Sequence, residues 1–420
     1  MRYKKIDNSL FINNRRNFVK QMKENSAAIF FSSDQYPRNG DQYFPYRQNS
    51  TFFYLTGIEQ EKSILLIAPG AGNEKLREAL FLLKPEKMME TWEGHKLTKE
   101  DAAGISGINN IFWLEDFDVS LKEVLSETND VYLNSNEYIK FIPEVPLREE
   151  RMAKKLKEDY PLHHYHRAAP LITKQRLIKS KEEIELMKKA CAITKDAFVS
   201  VLKTVKPGMK EYEVEAEITY RFLKNGANGH GYAPIVAGGK NACTLHYIEN
   251  DKPLHDGDLV LMDFGAEYAN YSADLSRTIP VNGKFSERQK ACYNAVLRVM
   301  KEVKKMYVPG NTTNNINNRT NELMEAEMIG LGLFTKSESE ANPDLYKKYF
   351  MHGTAHFLGL DVHDAGSKNE PLKPGMVLTC EPGLYIEEEN LGIRIENDIL
   401  ITDGEPEDLM AGFPIEPEEI

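Results

Sequence analysis

The chain has 420 residues, 41% of them apolar and 28% charged, enough for two or three domains with full cores. Its net charge of −11 argues against a general affinity for nucleic acid or anionic membranes, both of which need clustered Lys and Arg. No window approaches the ~18 uninterrupted apolar residues of a membrane span, and MRYKKIDNSLFINNRRNF lacks a signal peptide's apolar stretch, so a cytoplasmic protein is expected.

In chain order, AAIFFS, SILLIAP, ALFLLK, INNIFWL and DVYLN read as short strands with helical segments between them, the rhythm of an α/β domain. This first domain, 1–172, carries little catalytic density. Past Pro170 the texture changes, and 173–420 reads as a second, α+β domain. Ser180 followed by Glu183 makes a capping box. Ile184, Met187, Cys191, Thr194, Phe198, Val201 and Val205 then recur at three- and four-residue steps, predicting an amphipathic helix that stops at KPGM. A second helix is predicted over about 210–225, followed by strands at YAPIVAGG, CTLHYI and DLVLMDFGAEYANYSADLSRTIPV. The layout then repeats. A helix over about 287–306 ends at VPGN, another runs to about 330, and histidine-bearing strands are predicted after it. Pro207 with Pro309, and His246 with His352, recur at nearly the same offset, as in two related halves. Cys191, Cys243, Cys292 and Cys380 are too scattered for a metal clip or a disulfide framework and read as reduced core or near-core residues.

Two such halves facing each other leave a groove into which polar groups from both converge. Leu259, Leu261 and Asp263 share one strand face, and Asp274, Ser276 and Thr278 share one face of the return strand. A hairpin turning at Tyr268 and Ala269 is expected to set Asp263 directly opposite Asp274. Opposed carboxylates repel unless a cation lies between them. Near the C-terminus Arg394, Glu396 and Asp398 share a face, and Glu381 lies in the apolar run VLTCEPGLYI, where Pro382 implies an edge, a bulge or the strand's end. Asp263, Asp274, His356, Glu381 and Glu396 thus form a candidate set of four carboxylates and one imidazole. Oxygen donors with one nitrogen suit two divalent ions, Mn²⁺ more than Zn²⁺ or Co²⁺. Spacing leaves open which of His352, His356 and His363 meets metal. HGTAH lacks the Glu after its first His that a zincin helix requires.

YFPYRQNSTFFYLTG, LMDFGAEYANYSADLSRT, HGTAHFLGLDVHD, EPGLYI and GIRIEND together resemble the Xaa-Pro aminopeptidases (aminopeptidase P) of the pita-bread metallopeptidases, from about residue 10 to 405. The resemblance implies an α/β N-terminal domain and a C-terminal α+β pita-bread domain with a pseudo-twofold repeat. It implies metal ligands at Asp263, Asp274, His356, Glu381 and Glu396, with Asp274 and Glu396 bridging two ions and Glu381 doubling as proton shuttle. His246, His352 and His363 are then catalytic or substrate-contacting groups, and Arg394 orients Glu396 or substrate, with a surface salt bridge as the plainer alternative. Asp41 matches the family's acid for the substrate's α-amino group. Trp92 matches a tryptophan reaching a neighbouring subunit, although either residue could be purely structural. The implied substrates are peptides with proline second, cleaved by a homo-oligomer, dimer or tetramer. A dipeptide-restricted prolidase shares the metal set, a metal-free creatinase-type enzyme shares the fold, and a pita-bread binding module is a third alternative. Intact ligands disfavour the last two.

Overall fold

A computed structural model describes residues 2–420, apart from the side chain of Met89. By contacts it divides into two units, residues 4–175 and residues 176–420, the latter taking in Arg2 and Tyr3. The first unit is built on a six-stranded sheet in the order Asn110–Trp113, Glu78–Leu82, Ile64–Ile67, Ser26–Phe31, Asp130–Leu133, His164–Arg167. Ser26–Phe31 is buried along its whole length, as a run of Ala, Ile and Phe covered on both faces must be. It pairs antiparallel with Ile64–Ile67 and parallel with Asp130–Leu133. All five strand-like runs become strands. A sixth, the polar HYHR at 164–167, forms a mostly uncovered strand at the sheet's end, which is why no apolar pattern announces it.

In the second unit the helix Lys181–Thr204 starts where the capping box places it: Ser180 Oγ accepts from the Glu183 amide at 3.3 Å and Glu183 Oε2 accepts from the Ser180 amide at 2.8 Å. Glu183 also accepts from the Tyr271 hydroxyl at 2.9 Å, tying the helix start to a distant hairpin. Its partner helix is Glu211–Lys224, and beside the pair lies the antiparallel sheet Ile235–Gly238, Leu259–Phe264, Leu275–Pro280. The arrangement recurs as helices Glu287–Lys304 and Thr313–Gly330 with the sheet Val377–Cys380, Asn397–Leu400, Glu407–Asp408. The core of this second half packs Val296, Met300 and Val303 against Leu378, Ile393 and Ile399. Each such buried side chain stabilises the fold by about 1.5–3 kcal/mol. All four cysteines are free, three of them buried.

Three expectations are corrected. CTLHYI forms no strand; a 3₁₀ turn at Gly239–Cys243 runs into irregular chain. The histidine-bearing segment 351–364 is also irregular, with a single bridge between Phe357 and Leu378. The hairpin turns at Ala269 and Asn270, with φ of 52° and 64°, one residue later than expected. Asp263 therefore faces Ser276, and Asp274 is its diagonal neighbour.

Candidate metal centre

Gly265 sets the geometry of the first two acids. A Cβ there would lie 1.7 Å from the Ala273 carbonyl oxygen, so only glycine lets the two strands close up between Asp263 and Asp274. Tyr232 bridges the carboxylates: its hydroxyl lies 2.6 Å from Asp263 Oδ1 and within hydrogen-bond contact of Asp274 Oδ1. Burial and the two carboxylates hold the Tyr232 hydroxyl protonated, far above its ordinary range. One phenolic hydrogen cannot serve both acids at once.

Asp274, His356 and Glu396 are the tightest set, with donor atoms all within 4.8 Å of one another. They come from three separate segments. Asp274 precedes the strand Leu275–Pro280, Glu396 lies in the gap between Leu391–Arg394 and Asn397–Leu400, and His356 sits in the irregular loop. Glu396 is fixed from both its backbone and its side chain: its amide donates to the Ser276 carbonyl at 3.1 Å, and its Oε2 accepts from Ser276 Oγ at 2.6 Å. Glu381 follows directly on Val377–Cys380, and Pro382 marks that strand's end. His356 Nε2 lies 3.3 Å from Asp274 Oδ2 and 3.6 Å from Glu381 Oε1.

Arg394 pairs with Asp263 Oδ2 at 2.6 Å, not with Glu396, and donates to Ser276 Oγ at 2.8 Å and Tyr385 Oη at 2.9 Å. It shares Ser276 with Glu396 and acts on that carboxylate through its charge, and its burial rules out a plain surface salt bridge. The Tyr385 hydroxyl lies 2.7 Å from His352 Nε2, while His352 Nδ1 lies 2.8 Å from the Gly353 carbonyl and 3.9 Å from Glu381 Oε2. Burial, reinforced by Arg394, pulls His352 down to about 4, so it is neutral. His363 packs edge-on against His356 with ring centroids 4.4 Å apart. His246 is exposed.

The electrostatics of the acids suit a divalent cation. Burial pushes Glu381 up to about 7 and lifts Asp274 and Glu396 above the usual carboxylate range, because the acids also raise one another. Burial opposes charge on His356, yet Asp274 and Glu381 outweigh it and raise the imidazole to about 9. The donor set of buried carboxylates with one imidazole suits a hard to borderline divalent ion, which would offset the mutual repulsion of the acids. In the other unit, Asp41 lies on the exposed hairpin Pro37–Asn39/Gln42–Tyr43 and accepts from Gln42 Nε2 at 3.0 Å. Trp92, on the helix Lys87–Glu93, is 85% exposed and so is no core aromatic. Tyr232, Ser276 and Tyr385 carry no site signal in the sequence, since a hydroxyl in a bend or an apolar strand has no pattern of its own.

Two family models match the chain: metallopeptidase family M24 over residues 185–403, and the aminopeptidase P N-terminal domain over residues 11–132. This chain belongs to metallopeptidase family M24. It is a hydrolase, a metal-dependent aminopeptidase. The Xaa-Pro aminopeptidase of Haemophilus influenzae is 36% identical across 99% of this chain and 97% of its own, and that of Escherichia coli K12 is 34% identical with the same coverage. The structure of zinc-substituted E. coli aminopeptidase P in complex with product superposes with a TM-score of 0.90 at 33% identity, covering 99% of this chain and 98% of that one. The expected pairing of an α/β N-terminal domain with a pita-bread catalytic domain is the observed architecture.

Proposed function

We propose that this aminopeptidase removes the first residue from peptides with proline second, with two divalent ions, Mn²⁺ by preference, held by Asp263, Asp274, His356, Glu381 and Glu396. In this assignment residues 1–172 are the N-terminal domain and 173–420 the catalytic domain. The carrying observation is the convergence of Asp274, His356 and Glu396 within 4.8 Å from three distant segments, inside a buried set of acids short of positive charge. When bound, such ions supply Lewis acidity that lowers the pKa of a water and polarises the scissile carbonyl. By the resemblance, Asp274 and Glu396 would hold both ions, Asp263 would complete one set of ligands, and His356 and Glu381 the other. Glu381, which burial moves toward neutral pH, takes a proton from the nucleophile and passes it to the leaving nitrogen.

His352, neutral and tied to Tyr385, offers its imidazole to the oxyanion or the substrate. His246 and His363 offer imidazoles to the oxyanion and to the peptide on its proline side. A bond to proline is a tertiary amide without N–H, so recognition falls on the carbonyl, the ring and the free α-amino group. Asp41 is assigned to that ammonium, and Trp92 to a neighbouring copy in a cytoplasmic dimer or tetramer; the resemblance carries both roles, and the exposure of both residues agrees with them.

The test is direct. Protein stripped by a chelator should lose cleavage of Gly-Pro-Ala and regain it with Mn²⁺, and Gly-Pro dipeptide should be the poorer substrate. Full activity of the stripped protein, or a preference for the dipeptide, would overturn the reading.

A further inference from the structure

The alternation of a strand puts Thr379 on the same face as Glu381, two residues ahead of it. Thr379 is fully buried, and four hydrogen bonds define its place. Its amide donates to the His356 carbonyl at 2.9 Å, and its Oγ1 accepts from the His356 amide at 3.1 Å. Its carbonyl accepts from Tyr307 Oη at 2.8 Å, and its Oγ1 donates to Glu381 Oε1 at 3.1 Å. The hydroxyl has a single hydrogen, and an N–H already occupies one of its lone pairs, so that hydrogen is directed to Glu381.

We infer that Thr379 is a positioning residue for the proton-carrying glutamate. Its hydroxyl holds Glu381 Oε1 on the His356 side and leaves Oε2 turned toward His352, 3.9 Å from its Nδ1. The inference rests on the proton-shuttle assignment of Glu381 made above. A β-branched side chain restricted at χ1 suits the task, because the hydroxyl meets the His356 amide and the Glu381 carboxylate in a single rotamer.

The experiment compares Thr379→Val, which keeps the shape and removes the donor, with Thr379→Ser, which keeps the donor. Both are assayed on Gly-Pro-Ala with saturating Mn²⁺, alongside Glu381→Gln and the melting temperature of each protein. The Val variant should lose kcat by about 10–100-fold, the scale of losses when a group supporting a metal ligand is removed, with KM within about 3-fold. The Ser variant should return kcat to within about 3-fold of the parent. A Val variant with parental kcat, a Ser variant as impaired as Val, or a loss shared by KM and melting temperature would each overturn the inference. If Val fails to fold, Thr379→Ala takes its place with the same thresholds. An inactive Glu381→Gln beside a normal Val variant sinks the Thr379 role alone, whereas a fully active Glu381→Gln sinks the shuttle assignment beneath it.

Discussion

Two titrating groups of the centre push stability in the same direction once metal is removed. Folding raises His356 from 6.5 to about 9, since Asp274 and Glu381 outweigh the cost of burying its charge. Its contribution is complete below the unfolded value and is lost as pH rises through about 9. Glu381 is raised by burial from 4.5 to about 7, so the proton it gains on folding likewise stabilises at low pH and is lost as pH rises through about 7. Chelated protein should therefore melt at progressively lower temperature from about pH 6.5 to 9, while the Mn²⁺-loaded protein, whose ligands have given up those protons, should not follow. A flat or rising melting temperature for the chelated protein across that window would show that the acids are not buried together. Asp263, Asp274, Glu381 and Glu396 are conspicuous in the sequence because each is an acid in or beside an apolar strand-like run. Tyr232, Ser276, Thr379 and Tyr385 are not, because their partners are fixed by contacts across tens of residues or by the register of neighbouring strands.

Elements fixed by periodic burial were read well, and those fixed by individual contacts were not. The helix from Ser180 and the strand at LVLMDF announce themselves by capping and apolar pattern, whereas the turn at Ala269 and Asn270 lacks the Asn-Gly or Asp-Gly pair that marks a two-residue hairpin loop. The segment 351–364, expected as strand, is held by hydrogen bonds to the neighbouring strand Val377–Cys380 and, at its C-terminal end, by ion pairs. Arg176 donates to Asp361 Oδ2 at 2.6 Å and also pairs with Asp364, while Lys179 Nζ lies 3.4 Å from Asp364 Oδ2. The Asp364 amide closes the loop on the Phe357 carbonyl at 2.8 Å. From the sequence, Arg176 and Lys179 belong to a featureless basic stretch. Arg176→Met removes charge-assisted hydrogen bonds to Asp361 and Asp364 and leaves buried Asp364 with Lys179 as its counter-charge, so it should destabilise the protein by about 1.5–3 kcal/mol. Urea unfolding measures this, and a cost under about 1 kcal/mol would mean the loop is held by something else.

At the scale of the molecule, the repeat matters more than either half. Asp263 and Asp274 belong to the first half of the catalytic unit, and His356, Glu381 and Glu396 to the second. The halves meet where the Glu396 amide donates to the Ser276 carbonyl at 3.1 Å and the Arg394 amide to Thr278 Oγ1 at 3.2 Å, a seam with few backbone hydrogen bonds. An ion held by ligands from both halves closes that seam, so its binding energy becomes folding energy for the pair. At about 100 times the dissociation constant this amounts to about 2.7 kcal/mol. For a unit of this size it should raise the melting temperature by about 5–10 °C. Calorimetry with and without Mn²⁺ reads the shift, and Asp274→Asn, which removes the central first-half ligand while leaving the shape unchanged, should abolish most of it. If Asp274→Asn keeps the full shift, the ion is held by the second half alone, and the two halves are joined by their strands and not by the metal.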